Sequence, residues 1–396
     1  MYRVVKDEVF LKCIKCGHEY IPSPRLFICP KCGSLLEVII NNTKFEWNKI
    51  KTRRFGVWRY RELLPIRDDV EPVTMCEGGT PLIKALNLYE RKHVAIPNTY
   101  IKFEGANPTG SFKDRGMTVG VTIAKYINVD GVVVASTGNT AASAAAYAAR
   151  AGLKCIVVLP KGSVAKGKIA QALLHGAEIK EIEGSFDNAL EEVFESIVEG
   201  EFKNMYPLNS YNPWRLEGQK TIAYEIVDEL GKVPDYVIVP VGNAGNISAI
   251  WKGFKELYSL GYIDKLPKMI GVQAEGAAPL ASAWREGLSE PLYVDKPNTI
   301  ASAIRIGKPI NWPKAFKAVK ESHGFFIDVS DEEIINAMKL LARVEGLGVE
   351  PASAASLAGL MKCEREGKID KDSLVVLIAT GHALKDPDTI IGKVVI

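Results

Sequence analysis

Gly131–Ala151 reads GVVVASTGNTAASAAAYAARA, and its three parts decide the fold class. Gly131–Ala135 is a short, wholly apolar run rich in valine, the pattern of a strand buried on both faces. Ser136–Thr140, STGNT, is small and hydroxyl-rich, as a turn into a helix requires. Thr140–Ala151 is dominated by alanine, the strongest helix former, and reads as a tightly packed helix rather than a linker. Strand, turn and helix in this order make half of a parallel βαβ unit.

The same pattern continues on both sides. Apolar runs at Tyr100–Phe103, Cys155–Leu159, Ile179–Ile182, Tyr236–Val241, Met269–Val272 and Leu374–Ala379 alternate with helix-like stretches such as Asn188–Val198. This alternation predicts an α/β protein built on parallel sheet. Residues 41–75 form a polar and mixed connector, with a helix expected around Val57–Leu64 and ended by Pro65. The length of 396 residues corresponds to two or three domains. With 47% hydrophobic and 24% charged residues, the composition excludes a disordered or collagen-like chain. A net charge of +3 argues against a nucleic-acid or membrane partner. No stretch has the ~18 uninterrupted apolar residues of a membrane helix, and MYRVVKDEVFLK lacks a signal-peptide apolar core. The expectation is a soluble, cytoplasmic protein.

In open parallel sheets, ligands bind beyond the carboxyl ends of the strands. Glu104–Gly116, EGANPTGSFKDRG, follows Tyr100–Phe103, and Ser111 is placed to cap the helix after it. Lys113 then falls in that helix's first turn, where the macrodipole disfavours a cation. A neutral lysine, such as one bound as an imine to an aldehyde, suits the position. A solvated surface lysine is the plainer alternative. The STGNT turn suits a carboxylate or phosphate, or is simple helix capping by Asn139 or Thr140. Gly242–Asn246, GNAGN, follows Tyr236–Val241 and fits a phosphate monoester, with an ordinary turn as the alternative. Thr380–Asp386, TGHALKD, puts Thr380 at a strand end facing a ligand, while His382 is assigned no catalytic role. In Asn209–Lys220, NSYNPWRLEGQK, Arg215 is either an anion clamp or the surface partner of Glu217 or Glu225.

Seven cysteines are unevenly spread: Cys13, Cys16, Cys29 and Cys32 lie close together, while Cys76, Cys155 and Cys363 are isolated. Two C-x-x-C pairs, each followed by a glycine, present four thiolates in the manner of a structural zinc ribbon. A ribbon without metal, or one with a redox role, is the alternative. So short a segment buries too little surface to fold without a staple.

Taken together, EGANPTGSFKDRG, ASTGNTAAS, NPWRLEGQKT, GNAGN and ATGHALKD resemble the threonine synthases, pyridoxal-phosphate enzymes of the tryptophan-synthase-β fold. The resemblance runs from about Glu77 to the C-terminus. It implies a two-domain fold type II enzyme: a zinc ribbon at 1–45, a large domain at 46–109 and 208–396, and a small mobile domain at 110–207. It makes Lys113 the Schiff-base lysine and sets Asn139 against the cofactor's phenolic oxygen. Gly242, Asn243, Ala244, Gly245 and Asn246 would hold the cofactor phosphate, and Thr380 would face the pyridine nitrogen. Ser136, Thr137 and Thr140 would receive the substrate carboxylate. Lys113, Ser210, Arg215 and Asn243 would surround the substrate phosphate. The implied reaction converts O-phospho-L-homoserine and water to L-threonine and phosphate, in a homodimer. Cysteate synthase, acting on O-phospho-L-serine and sulfite, is the alternative, followed by another β-eliminating lyase. A nucleic-acid-binding or regulatory protein with a relic core is the alternative from a different class. The family has glycine where this chain has Ala383, so a positive φ there would force a different turn after His382.

Overall fold

The computed structural model describes residues 4–41, 45–162, 166–183, 186–198 and 200–395. Residues 1–3 and 42–44 of the expected ribbon, and 163–165, 184–185 and 199 of the expected small domain, lie outside the described residues. The strands in chain order are β1 (Val9–Cys13), β2 (Glu19–Tyr20), β3 (Leu36–Ile40), β4 (Leu82–Lys84), β5 (Asn98–Phe103), β6 (Gly131–Ala135), β7 (Lys154–Pro160), β8 (Glu178–Ile182), β9 (Met205–Pro207), β10 (Tyr236–Pro240), β11 (Lys268–Ala274), β12 (Phe325–Val329) and β13 (Leu374–Ala379).

They form three sheets. The N-terminal one has the order β2-β1-β3 and is antiparallel. A four-stranded parallel sheet runs β8-β7-β6-β9, and a six-stranded sheet runs β12-β11-β10-β13-β5-β4. Only β4 is antiparallel in the six-stranded sheet. Each of the seven apolar runs falls on a strand. Phe325–Val329 escapes that reading because Asp328 interrupts the run; its carboxylate takes Lys362 Nζ at 3.0 Å. β4 and β9, three residues each, are too short to carry a periodic signal.

The chain divides into two compact units. Unit one is Met1–Gly79 with Lys113–Thr221, and unit two is Thr80–Phe112 with Ile222–Ile396. The core of unit one includes Val133, Ile156, Val158, Val193 and Phe202 around β6 and β7. That of unit two gathers Ile101, Ile238, Ile270, Leu357 and Leu377. Each such side chain, fully buried, contributes roughly 1.5–3 kcal/mol.

The two units divide the chain at other points than the expected domain boundaries. Residues 46–79 belong with the small domain's helices, because Trp58 Nε1 donates to Thr118 Oγ1 (2.8 Å) and Val73 N–H to Thr122 Oγ1 (2.9 Å). These are threonines on the helix Lys113–Tyr126, partners that a connector's own composition does not reveal. The ribbon likewise belongs to unit one, with β3 packed on the helix Pro213–Gln219. Residues 208–221 stay with unit one, and unit two takes up 80–112. The turn at Val57–Leu63 is a 3-10 helix interrupted at Tyr60, and it stops before Pro65 as predicted. Among the described residues, no helix is long and apolar enough to cross a membrane.

Candidate active site

In unit one, Lys113 opens the helix Lys113–Tyr126 and is half-buried. This helix meets Pro213–Gln219 backbone to backbone: a Cβ on Gly218 would lie 1.6 Å from the Arg115 carbonyl oxygen. Only glycine permits that approach, and it brings the lysine's helix against the one carrying Arg215. Arg215 is 3% exposed. Its Nη1 donates to the Leu208 carbonyl at 2.7 Å, and its Nε has no partner. Burial lowers the guanidinium to about 10, so it remains cationic at neutral pH. Neither acid considered as its surface partner takes it: Glu217 bonds Lys220 (2.6 Å) and Glu225 bonds Lys102 (2.9 Å). A buried cation left in this state is costly without an anion, so the geometry favours the clamp.

Beyond β6, the helix Asn139–Ala151 has Gly138 as N-cap, with no side-chain cap. Capping by Asn139 or Thr140 is therefore not what begins this helix, and its first-turn N–H groups suit an anion. Ser136 Oγ accepts from Gly138 N–H at 3.2 Å, while Thr137, Asn139 and Thr140 are half-buried around the turn. Asn209 is a positioning residue that the sequence reading missed. Its amide oxygen accepts from Ala135 N–H (3.0 Å) and its amide nitrogen donates to the Ala135 carbonyl (2.9 Å). These bonds clip the end of β6 to the half-buried Ser210, bringing the STGNT turn and the Arg215 segment together. The signal available was an asparagine beside Ser210, whose amide can satisfy a peptide group in both directions. Ser143 Oγ donates to Asp114 Oδ1 at 2.5 Å, pinning the Ala-rich helix to the residue after Lys113.

In unit two, β13 lies between β10 and β5, so the loops beyond them converge. Gly242–Asn246 leads into the helix Gly245–Ser259 through Ala244, which is left-handed (φ 63°) and supplies no side-chain cap. The left-handed residue is thus the alanine, while Gly242 is needed because a Cβ there would meet Ile304 Cα at 2.9 Å. Holding alanine in that region costs roughly 1–2 kcal/mol, strain of the kind found at ligand-binding turns. Asn243 Oδ1 accepts from Ile310 N–H at 2.7 Å, so that side chain already braces a neighbouring loop. Both amide atoms of Asn246, 7% exposed, lack a partner.

Thr380 is buried, with its hydroxyl 3.0 Å from Ser353 Oγ and 3.4 Å from Glu350 Oε1. Its carbonyl accepts from Phe112 N–H at 3.0 Å, Phe112 being the residue before Lys113 in the chain. Ser111 Oγ is buried and unpartnered, so it does not act as the expected helix cap. Ala383 begins a 3-10 turn without a positive φ, which is why alanine serves where the family has glycine. His382 Nδ1 merely accepts from Leu384 N–H at 3.1 Å.

In the ribbon, Cys13, Cys16, Cys29 and Cys32 place their sulfurs within 4.8 Å of one another. Gly17 (φ 69°) and Gly33 (φ 68°) turn the chain after each pair, in the left-handed region. Tyr20 OH lies 3.0 Å from Cys29 Sγ.

Residues 73–381 match the family described as pyridoxal-phosphate dependent enzyme. The chain belongs to that family. A threonine synthase of Methanocaldococcus jannaschii is 55% identical over 385 residues, covering 96% of this chain and 94% of that protein. One from Mycobacterium tuberculosis is 55% identical over 330 residues, covering 83% and 88%. The processed form of threonine deaminase isoform 2 from Solanum lycopersicum superposes with a TM-score of 0.64 at 25% identity. That superposition covers 76% of this chain and 79% of the deaminase. The expected α/β, fold type II architecture is thereby shown.

The residues present fit the family's cofactor. The uncapped helix start after Ala244 and the unpartnered Asn246 amide suit a phosphate monoester, and Lys113 is the amine that a carbonyl carbon would need. The four clustered sulfurs suit Zn²⁺, whose structural sites take four thiolates in a tetrahedron.

Proposed function

We propose that this chain is a threonine synthase, converting O-phospho-L-homoserine and water to L-threonine and phosphate. The observation that carries the reading is the buried Arg215 guanidinium, without an acidic partner among the described residues, on the helix packed against that of Lys113. The identity of 55% to threonine synthases over most of the chain supports the same substrate.

When bound, pyridoxal phosphate supplies the electron sink that makes the Cα proton removable. Lys113 Nζ would hold its carbonyl carbon and would supply the base for that proton. Asn139 would meet the phenolic oxygen, Thr380 the pyridine nitrogen, and Gly242, Asn243, Ala244, Gly245 and Asn246 the phosphate. A threonine hydroxyl does not stabilise a pyridinium as a carboxylate does. Ser136, Thr137 and Thr140 hold the substrate carboxylate at a helix start. Arg215, Ser210, Lys113 and Asn243 would surround the substrate phosphate and hold it until the Cγ–O bond breaks. A proton would leave Cβ as the phosphate leaves Cγ, water would give its hydroxyl to Cβ and its proton to the departing phosphate, and protons would return to Cγ and Cα, with Lys113 the group to carry them.

Cys13, Cys16, Cys29 and Cys32 hold a structural Zn²⁺ in this reading, which also includes a cytoplasmic homodimer with no nucleic-acid or membrane partner. The test is product analysis with two substrates. Threonine and phosphate formed from O-phospho-L-homoserine at the higher kcat/KM is the expected result. Efficient cysteate formation from O-phospho-L-serine and sulfite, with negligible threonine, would replace it.

A further inference from the structure

The ribbon's place in unit one raises the question of what it does for the rest of the unit. Phe27, two residues before Cys29, is 8% exposed and does not pack within the ribbon alone. Its ring meets Tyr206 edge-on at 5.5 Å and Tyr211 at 6.1 Å between centroids. Tyr211 follows Ser210 directly and lies four residues before Arg215. On another side it meets Phe194 at 5.6 Å, so rings hold it from two directions. Arg25 adds a polar tie: its Nη2 donates to Asn204 Oδ1 at 2.8 Å, and Asn204 Nδ2 donates to Asp130 Oδ1 at 2.9 Å. β3 packs on the helix that carries Arg215. The ribbon therefore touches the Arg215 segment before it, within it and along its helix.

We propose that Phe27 is a positioning residue for the substrate-phosphate clamp, seating Tyr211 so that Ser210 and Arg215 are held in register. The inference rests on the reading of Arg215 as that clamp. The physical reason is one of constraint. Among the described residues, the Arg215 guanidinium has one tether, to the Leu208 carbonyl, so the aim of its remaining N–H groups depends on how the Leu208–Asn212 backbone is held. Asn209 and Asn212 fix that backbone from inside the unit, through Ala135, Pro207 and Trp214. Phe27 fixes it from the ribbon side. Aromatic pairs of this geometry are directional, so a ring at position 27 sets where Tyr211 sits as well as covering it. The loop bearing Phe27 has no strand of its own between β2 and β3, and Cys29 anchors its end. The cysteine cluster thereby becomes part of the phosphate site's scaffold without touching substrate.

The test uses cofactor-loaded protein and inorganic phosphate as the probe, titrated calorimetrically, with the visible cofactor band recorded in parallel. Phe27→Ala is expected to weaken phosphate binding roughly tenfold and to raise KM for O-phospho-L-homoserine more than it lowers kcat, with the band unchanged. Phe27→Tyr should restore most of the affinity, and Arg25→Ala should weaken it several-fold. Arg215→Ala is the reference. If it abolishes phosphate binding while Phe27→Ala binds phosphate as the parent does, the inference falls and the clamp stands. If Arg215→Ala leaves phosphate binding intact, the clamp reading falls and takes the inference with it. Should Phe27→Ala yield no folded protein, Arg25→Ala decides: unchanged affinity overturns the proposal, and weakened affinity with an intact band supports it.

Discussion

Arg215 shows how little of a residue's role its sequence neighbours carry. The same NPWRLEGQK stretch allowed a solvated ion pair or a buried clamp, and burial at 3% exposure with an unpartnered Nε separates the two. Charge-assisted bonds contribute roughly 1.5–3 kcal/mol each, so losing two to a phosphate costs about 3–6 kcal/mol. Arg215→Ala should therefore lower kcat/KM for the phosphorylated substrate by roughly 10²–10⁴-fold, as steady-state assays would show. The cofactor band should persist in that variant. Lys113 makes the complementary prediction. Borohydride should abolish the visible band and fix the adduct on the tryptic peptide containing Lys113, and Lys113→Ala should keep the fold and lose turnover. An adduct mapped to Lys166 or Lys168 would contradict the assignment.

At the scale of elements, two anchors set the site's shape. Asn209 joins β6 to the Ser210 segment with two hydrogen bonds to the main chain of one residue, Ala135. Asn209→Ala leaves two buried backbone groups unpaired, a cost of about 1–3 kcal/mol each. Thermal denaturation should show that loss, and KM for substrate should rise because the turn and the clamp lose their register. Asn209→Asp can accept from the N–H and cannot donate to the carbonyl, so it should recover only part. The ribbon is the second anchor. Metal analysis of protein purified without chelators should find one zinc per chain. Cys13→Ser should lower stability, because a sheet this small relies on its staple. Four thiolates would leave no open position on a bound zinc, so any effect on turnover should pass through folding, assembly or the docking of Phe27 on Tyr211.

For the whole molecule, a buried cation awaiting an anion couples ligand to stability. Inorganic phosphate at about a hundred times its Kd should stabilise the cofactor-loaded protein by about 2.7 kcal/mol, read as a raised Tm that Arg215→Ala removes. The alternation of apolar runs and helix-like stretches was enough to place the α/β class and each of the seven expected strands, because a strand buried on both faces needs a continuous apolar run. The GNAGN, STGNT and lysine loops were legible for a related reason: turns after strands accept few residue types, and those types are also the ones that bind anions. The sequence by itself thus determined the class of fold, the turns at the carboxyl ends of the strands and the four-cysteine cluster, all of which depend on neighbours near in the chain. Only the tertiary structure decided the rest. It joined 46–79 and the ribbon to the Lys113 helix, paired Asn209 with Ala135, and left Arg215 buried without an acidic partner. Each of those outcomes turns on which distant groups satisfy a buried donor, acceptor or charge, and partners far apart in the chain leave no periodic trace in it.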